Sequence, residues 1–257
     1  MSWEYVLIGV EGNHDQAFIS KILCKLLGFS KFEGNVSELD GIWRKFIPVY
    51  PPKTGKLYLR LDMPTILYKD KISLAIYAGE GSNLITNLSD KLSDIDSSSL
   101  FAFAIVADAD KNQPEQVAKE YYQGFKEYFP DFPTTVSQNG NVIAGSPRLG
   151  IYILPENSQQ GVLDTLICDC GDLIYPEYMQ RAREYINKFS EEEKNKKPLK
   201  WKPFDQEKAI IATVVSVLKP GKTNQTSISD NNWIGAETSE IPVIQNLTTF
   251  FRGLLNL

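Results

Sequence analysis

The 257-residue chain holds one histidine and three cysteines, no internal repeat, and no run of about 18 apolar residues. Without such a run no membrane span is expected. The odd cysteine count (Cys24, Cys168, Cys170) has no framework spacing, which excludes a disulfide scaffold and points to reduced thiols. Cys168 and Cys170 also lack zinc-knuckle spacing and partner histidines, so buried helix-end thiols are expected. The N-terminus has no basic segment and no small-residue cleavage site, so no signal peptide is read and a cytoplasmic location is expected. A net positive charge is lacking too. At −5 the chain has no broad basic face for nucleic acid, but a local one, or a site where metal ions supply the charge, stays open.

What is present is an alternation of apolar runs and amphipathic stretches. Tyr5 to Val10 reads as a strand covered on both faces. A helix follows from Asp15, with Ala17, Phe18, Ile22 and Leu26 at helical spacing. Residues 31–71 are irregular, with Pro48, Pro51, Pro52 and a KTGK turn, and read as an insertion. Ile72–Ala78 is a second strand, followed by GEGSN and a helix over Leu84–Leu92. Leu100–Ala107 (LFAFAIVA) is the third and most apolar strand, and ends in Asp108-Ala109-Asp110. Pro114 opens a helix to about Tyr128. Arg148–Leu154 is a fourth strand, ending at Pro155-Glu156-Asn157. Helical patterns then run over about 160–168, 176–189, 205–218 and 244–256.

This order predicts an α/β fold, Rossmann-like, with a mainly parallel central sheet flanked by helices. An α/β domain over 1–170 would carry the insertion, and 171–257 would be a helical extension packed on it. The third strand should be central. In such sheets function gathers at the carboxyl ends of the strands. Those ends deliver Glu11, Glu80, Asp108 with Asp110, and Glu156 to one rim. Asp15 lies one helical turn beyond Glu11. The two aspartates of DAD share a face if the strand end stays extended. Carboxylates gathered this way raise each other's pKa values, and a hard divalent cation with oxygen ligands removes that cost. Acids, metal and a helix N-terminus together suit phosphate chemistry. Backbone N–H groups at Gly12, Gly79 and Gly81 are candidate phosphate contacts, although GEGSN serves equally as a plain tight turn.

VEGNHDQAFI followed by IVADAD resembles the Toprim domain, shared by topoisomerases, bacterial primases and small nucleases. AGEGSNL and LPENSQQGVLDTL are similar to stand-alone Toprim proteins and to the overcoming-lysogenisation-defect nucleases. The resemblance covers about residues 4–170, with a longer gap between Glu11 and Asp108 than compact Toprim domains have. It implies a Toprim fold and Mg²⁺ (or Mn²⁺) held by Asp108 and Asp110. Glu11 would be the general acid or base, or a second-metal ligand. Asp15 matches a further metal ligand, and Asp164 and Glu156 are possible second-metal ligands. The implied activity is metal-dependent phosphoryl transfer on DNA or RNA, most plausibly a nuclease. The alternative is a non-catalytic Toprim module that binds metal, nucleotide or a protein partner. No tyrosine stands in a strand-passage context, so a topoisomerase is not expected.

Three other features read as structural. His14 is an exposed helix-start residue rather than a catalyst. KPGKT at 219–223 mimics a phosphate loop but has Ser216 in place of its first glycine and no preceding strand. The lysine-rich stretch Glu191–Pro203 could grip a nucleic-acid backbone with Trp201 as a stacking ring. With Glu191, Glu192 and Glu193 alongside, it reads as a solvated linker.

Overall fold

The computed structural model describes residues 3–47 and 63–257, so the proline cluster and KTGK turn of the insertion lie outside the described residues. Seven strands form one sheet in the order β2-β3-β4-β1-β5-β7-β6. Its centre is parallel: β1 (Glu4–Val10) lies between β4 (Ile72–Ala78) and β5 (Leu100–Asp108), and β5 pairs with β7 (Arg148–Leu154). Antiparallel strands finish both edges. β2 (Ser30–Lys31) and β3 (Thr65–Lys69) extend the β4 side, and β6 (Asn141–Ile143) covers β7. β3, from inside the expected insertion, is therefore an integral strand.

Two apolar layers explain the continuous hydrophobic runs. On β5, Ala102, Ala104 and Val106 enter one layer, and Phe103, Ile105 and Ala107 the other. A parallel strand buried on both faces needs this composition. One layer holds α1 (Asn13–Leu27), α5 (Leu163–Ile174) and the later helices α6 (Pro176–Ile186), α8 (Asp205–Leu218), α9 (Asn224–Asp230) and α10 (Pro242–Leu255). The other holds α2 (Gly41–Arg44), α3 (Leu84–Ser93) and α4 (Pro114–Phe125). There Phe103 stacks on Phe129 at 4.4 Å between centroids and meets Phe125 at 5.2 Å. Gly9 on β1 lets α3 approach: a Cβ there would sit 2.6 Å from Leu88 Cδ2.

The C-terminal helices share the sheet's core. Phe250 of α10 packs on Tyr152 of β7 at 5.5 Å. Arg148, at the start of β7, donates to the Leu254 and Gly253 carbonyls at 3.0 and 2.6 Å, closing the end of α10. No described helix is long and apolar enough to cross a membrane.

Three local expectations change. α5 runs on to Ile174, so Cys168 and Cys170 are mid-helix rather than helix-end; both are buried and unpaired, and burial pushes their thiols up to about 12. The lysine-rich stretch contains α7 (Glu191–Asn195), whose N-terminus is closed by a reciprocal Ser190–Glu193 capping box. It is not wholly solvated: Lys194 is 5% exposed, pairs with Glu191 at 2.8 Å, and lies over the Trp201 ring. KPGKT is the turn between α8 and α9, with Thr223 capping the latter.

Removing the Phe250 ring deletes a side chain that is 1% exposed. Phe250→Ala is expected to lower unfolding free energy by about 3–5 kcal/mol in urea denaturation, the cost of a fully buried aromatic. A loss under about 1 kcal/mol would mean that α10 contributes little to the fold.

Candidate metal and phosphate site

The chain leaves β1 for β4 on one side and returns to β5 on the other. That reversal makes the β1–β5 junction the topological switch point, where the loops diverge and open a crevice. A cavity of about 420 Å³ opens there, lined among others by Glu11, His14, Asp15, Asp108, Asp164 and Lys208. Four acids from three parts of the sequence therefore share one hollow.

Each is fixed by its backbone. Glu11 follows β1 directly, and its carbonyl accepts the Gly81 N–H at 2.7 Å. Its Oε1 accepts from the Tyr121 hydroxyl of α4 at 3.3 Å. Asp15 sits in the first turn of α1 and accepts the Gly12 N–H at 2.8 Å. Asp108 ends β5, and its Oδ1 accepts the Leu163 N–H at 2.8 Å, which ties that strand to the start of α5. Asp164 is the next residue of α5 and is 8% exposed.

Burial and mutual repulsion set the electrostatics. Burial raises the Asp15 carboxyl to about 7, with the Glu11 charge adding to it. Asp108 is pushed well above the usual carboxylate range by burial and then by Asp15 and Glu11. Glu11 is raised by burial and by Asp110, and Asp164 by burial. Burial lowers His14, which Asp164 partly offsets. The Tyr121 hydroxyl is raised by burial and by Glu11, so it stays a donor.

Several expected residues are placed differently. Asp110 is near enough for its charge to reach Glu11 and Asp108, but it is exposed and does not line the cavity. The strand ends at Asp108. Asp110 then takes φ 50° while its backbone exchanges hydrogen bonds with Gly161 at 2.8 and 2.9 Å, so the two aspartates do not share an extended face. Glu156 is not part of the hollow: it follows β7, one strand further out, and accepts from Ser158 at 2.9 Å. The glycine amides are already used. Gly12 donates to Asp15, Gly79 to Val10 O at 2.9 Å, and Gly81 to Glu11 O. Gly79 and Gly81 brace the ends of β1 and β4 rather than offering phosphate contacts.

Three residues were not singled out as site members by the sequence. His14 is half-buried in the cavity wall rather than exposed. Tyr121 reaches Glu11 from mid-helix, and Lys208 comes from α8, far along the chain. Helical spacing brings Tyr121 to the buried face of α4, but no local motif marks it or Lys208.

The sequence matches the family described as "Protein of unknown function (DUF3226)" over residues 5–256. The chain belongs to the DUF3226 family. The crystal structure of hypothetical protein PH0156 from Pyrococcus horikoshii OT3 has a similar fold. The TM-score is 0.57 at 18% identity, covering 100% of this chain and 97% of that one. No curated protein matches the sequence.

The raised acids fix the sign of the pH dependence. A carboxyl held near 7 when folded and at 3.8 when unfolded contributes stability that is present below about pH 4 and lost as pH rises to about 7. Each unit of such a shift corresponds to about 1.4 kcal/mol. His14 acts oppositely, since its lowered pKa favours folding at higher pH. Asp15→Asn and Asp108→Asn keep a carbonyl oxygen for the Gly12 and Leu163 amides. Each is expected to raise the metal-free Tm at pH 8 by several degrees and to flatten its fall between pH 4 and 7, measured by calorimetry. An unchanged pH profile would show the cluster to be solvated.

Proposed function

We propose that this chain is a Mg²⁺- or Mn²⁺-dependent phosphoryl-transfer enzyme acting on nucleic acid, a nuclease of Toprim type. The observation carrying this reading is the meeting of Glu11, Asp15, Asp108 and Asp164 in one buried hollow at the switch point, with all four carboxyls raised. Lys208 is the lone lysine or arginine among the residues lining it. A protein that buries like charges pays in stability unless a ligand compensates them.

The residues fit a hard cation chemically. The donors are carboxylate oxygens, as Mg²⁺ and Mn²⁺ prefer. Asp15 and Asp108 each commit one oxygen to a backbone amide and leave the other. Among the described residues, no three His, Cys, Asp or Glu groups are placed so that they could together hold a metal ion. Asp108 and Asp15 would hold the ion, with Asp110 and Asp164 flanking. When bound, it supplies charge neutralisation at a phosphate and acidifies water.

The chain's own groups do the rest. Glu11, its carboxyl raised by burial and by Asp110, moves a proton while the Tyr121 hydroxyl holds it in place. The first-turn N–H groups of α1, at Asn13 and His14 in the cavity wall, have no carbonyl one turn back and face an anion favourably. Lys208, on α8 in the cavity lining, binds a phosphate oxygen. A positioned acid or base contributes about 10²–10⁴-fold.

Calorimetric titration with Mn²⁺ should give binding to the wild type and at least tenfold weaker binding to Asp108→Asn. Equal binding by both would remove the metal from this site. A panel of single- and double-stranded DNA and RNA at low salt should show cleavage that needs Mg²⁺ or Mn²⁺. Glu11→Gln should reduce it by about 10²-fold or more, and Lys208→Ala should weaken it by about tenfold. Cleavage of equal size in wild type and Glu11→Gln would assign the activity elsewhere. Silence throughout with metal binding intact would favour a non-catalytic metal-binding module.

A further inference from the structure

The outer face of α6 carries large rings in water. Tyr178 is 40% exposed and Tyr185 52%. Tyr178 and Tyr185, seven residues apart, lie within about 20° of one another around α6, and Phe189 follows in the turn after the helix. Arg181 stands between the two tyrosines, 6.0 Å from the Tyr178 ring centroid, and Phe189 lies 5.5 Å from Tyr185. Phe189 then forms one wall of a groove of about 400 Å³ lined also by Glu192, Glu193, Lys196, Lys197, Pro198 and Leu199. The face is thus a line of aromatic and apolar surfaces beside ion pairs, Arg181 with Glu177 and Lys196 with Glu192, and Lys197, unpaired among the described residues.

Its charge differs from that of the rest of the molecule. Residues 176–208 hold nine Lys and Arg against seven Asp and Glu, whereas the remaining chain holds 18 against 25. Much of the acid is committed internally. Glu177 pairs with Arg181 and Glu192 with Lys196; Glu193 caps α7, and Glu191 pairs with Lys194. Lys188, Lys197, Lys200 and Lys202 form no ion pair among the described residues.

The face is joined through α7 to α8, the helix that contributes Lys208 to the acidic hollow. From Phe189 the chain enters α7, where Lys194 donates to Gln206 of α8 at 2.9 Å. Two residues on, Lys208 lines the hollow.

We infer that the Tyr178–Tyr185–Phe189 face and its adjoining groove bind single-stranded nucleic acid, stacking unpaired bases on the rings and pairing phosphates with the neighbouring lysines. This rests on the proposed nuclease reading and gives it a substrate class. Rings standing singly on a convex helix reach bases only where these are unpaired, while the lysines alone would accept duplex as well. The net charge of the chain limits affinity, so binding is salt-sensitive.

The test is fluorescence anisotropy with a labelled single-stranded oligothymidylate and a duplex of equal length, in EDTA at low salt. Removing metal silences cleavage and leaves the surface to be read alone. Wild type should bind the single strand more tightly than the duplex. Tyr178→Ala/Tyr185→Ala should weaken single-strand binding about tenfold or more, while Tyr178→Phe/Tyr185→Phe should retain it. Lys188→Glu/Lys197→Glu should weaken binding and flatten its salt dependence. All are surface changes, and an unchanged Tm shows that each variant is folded. Equal binding by wild type and the alanine pair, a preference for duplex, or no binding at all would overturn the inference. Manganese titration of the same proteins, dialysed free of EDTA, reports separately on the acidic hollow. Loss of metal binding with single-strand binding intact would sink the nuclease reading and keep this surface.

Discussion

Like charges withdrawn from water repel strongly, and a fold must be stiff to hold them together. Here the stiffness comes from the pairing of β1 with β5, which sets Glu11 and Asp108 at the ends of adjacent parallel strands. Backbone amides complete the hold: Gly81 on the Glu11 carbonyl, Gly12 on Asp15, and Leu163 on Asp108. The first turns of α1 and α5, and the β4–α3 corner, all meet at this point. The two apolar layers supply the free energy that offsets the repulsion. Asp15 and Asp108 are the most burdened groups, and both are anchored by an amide from the start of a helix. A hydrogen bond to the charged form lowers a carboxyl's pKa, and here it only partly counters burial.

Much of the fold is legible in the residues because a parallel sheet imposes a plain pattern. LFAFAIVA has apolar side chains at every position and becomes the doubly covered β5. Ile72–Ala78 and Arg148–Leu154 become strands with those bounds. β3 escapes because TILYK lies in a stretch broken by prolines, and its place at the sheet is set by pairing with β4. α5 runs past the expected end at 168 through Gly171, which in the helix admits Met179 and Trp233: a Cβ there would lie 2.7 Å from the Met179 sulfur.

The site divides along a similar line. Residues attached to strand ends and helix starts, such as Glu11, Asp15, Asp108 and Asp164, are placed by local sequence once the strand order is known. Asp110 shows the limit. Spacing in DAD suggests a shared face, but a tertiary contact with Gly161 turns the backbone after Ala109. Tyr121 and Lys208 depend on which helix face meets which strand end, and that is a property of packing rather than of motif. The three glycines likewise look available in sequence, and only the hydrogen-bond pattern shows their amides to be spent.

Lys208 has a consequence for how the molecule comes into being. The hollow is walled by residues far apart in the chain, from Glu11 to Lys208 on α8. During synthesis the N-terminal acids emerge and find their strands long before α8 exists. Until then the acidic ends of β1 and β5 stand open, without their lysine and without the apolar cover of the later helices. An emerging chain therefore has a stage of exposed apolar surface, a condition prone to aggregation. Contacts between such distant segments also close late and slowly. Helices made after the sheet thus complete the cavity as well as the core, and a chain interrupted before α8 carries the acidic residues without the finished site.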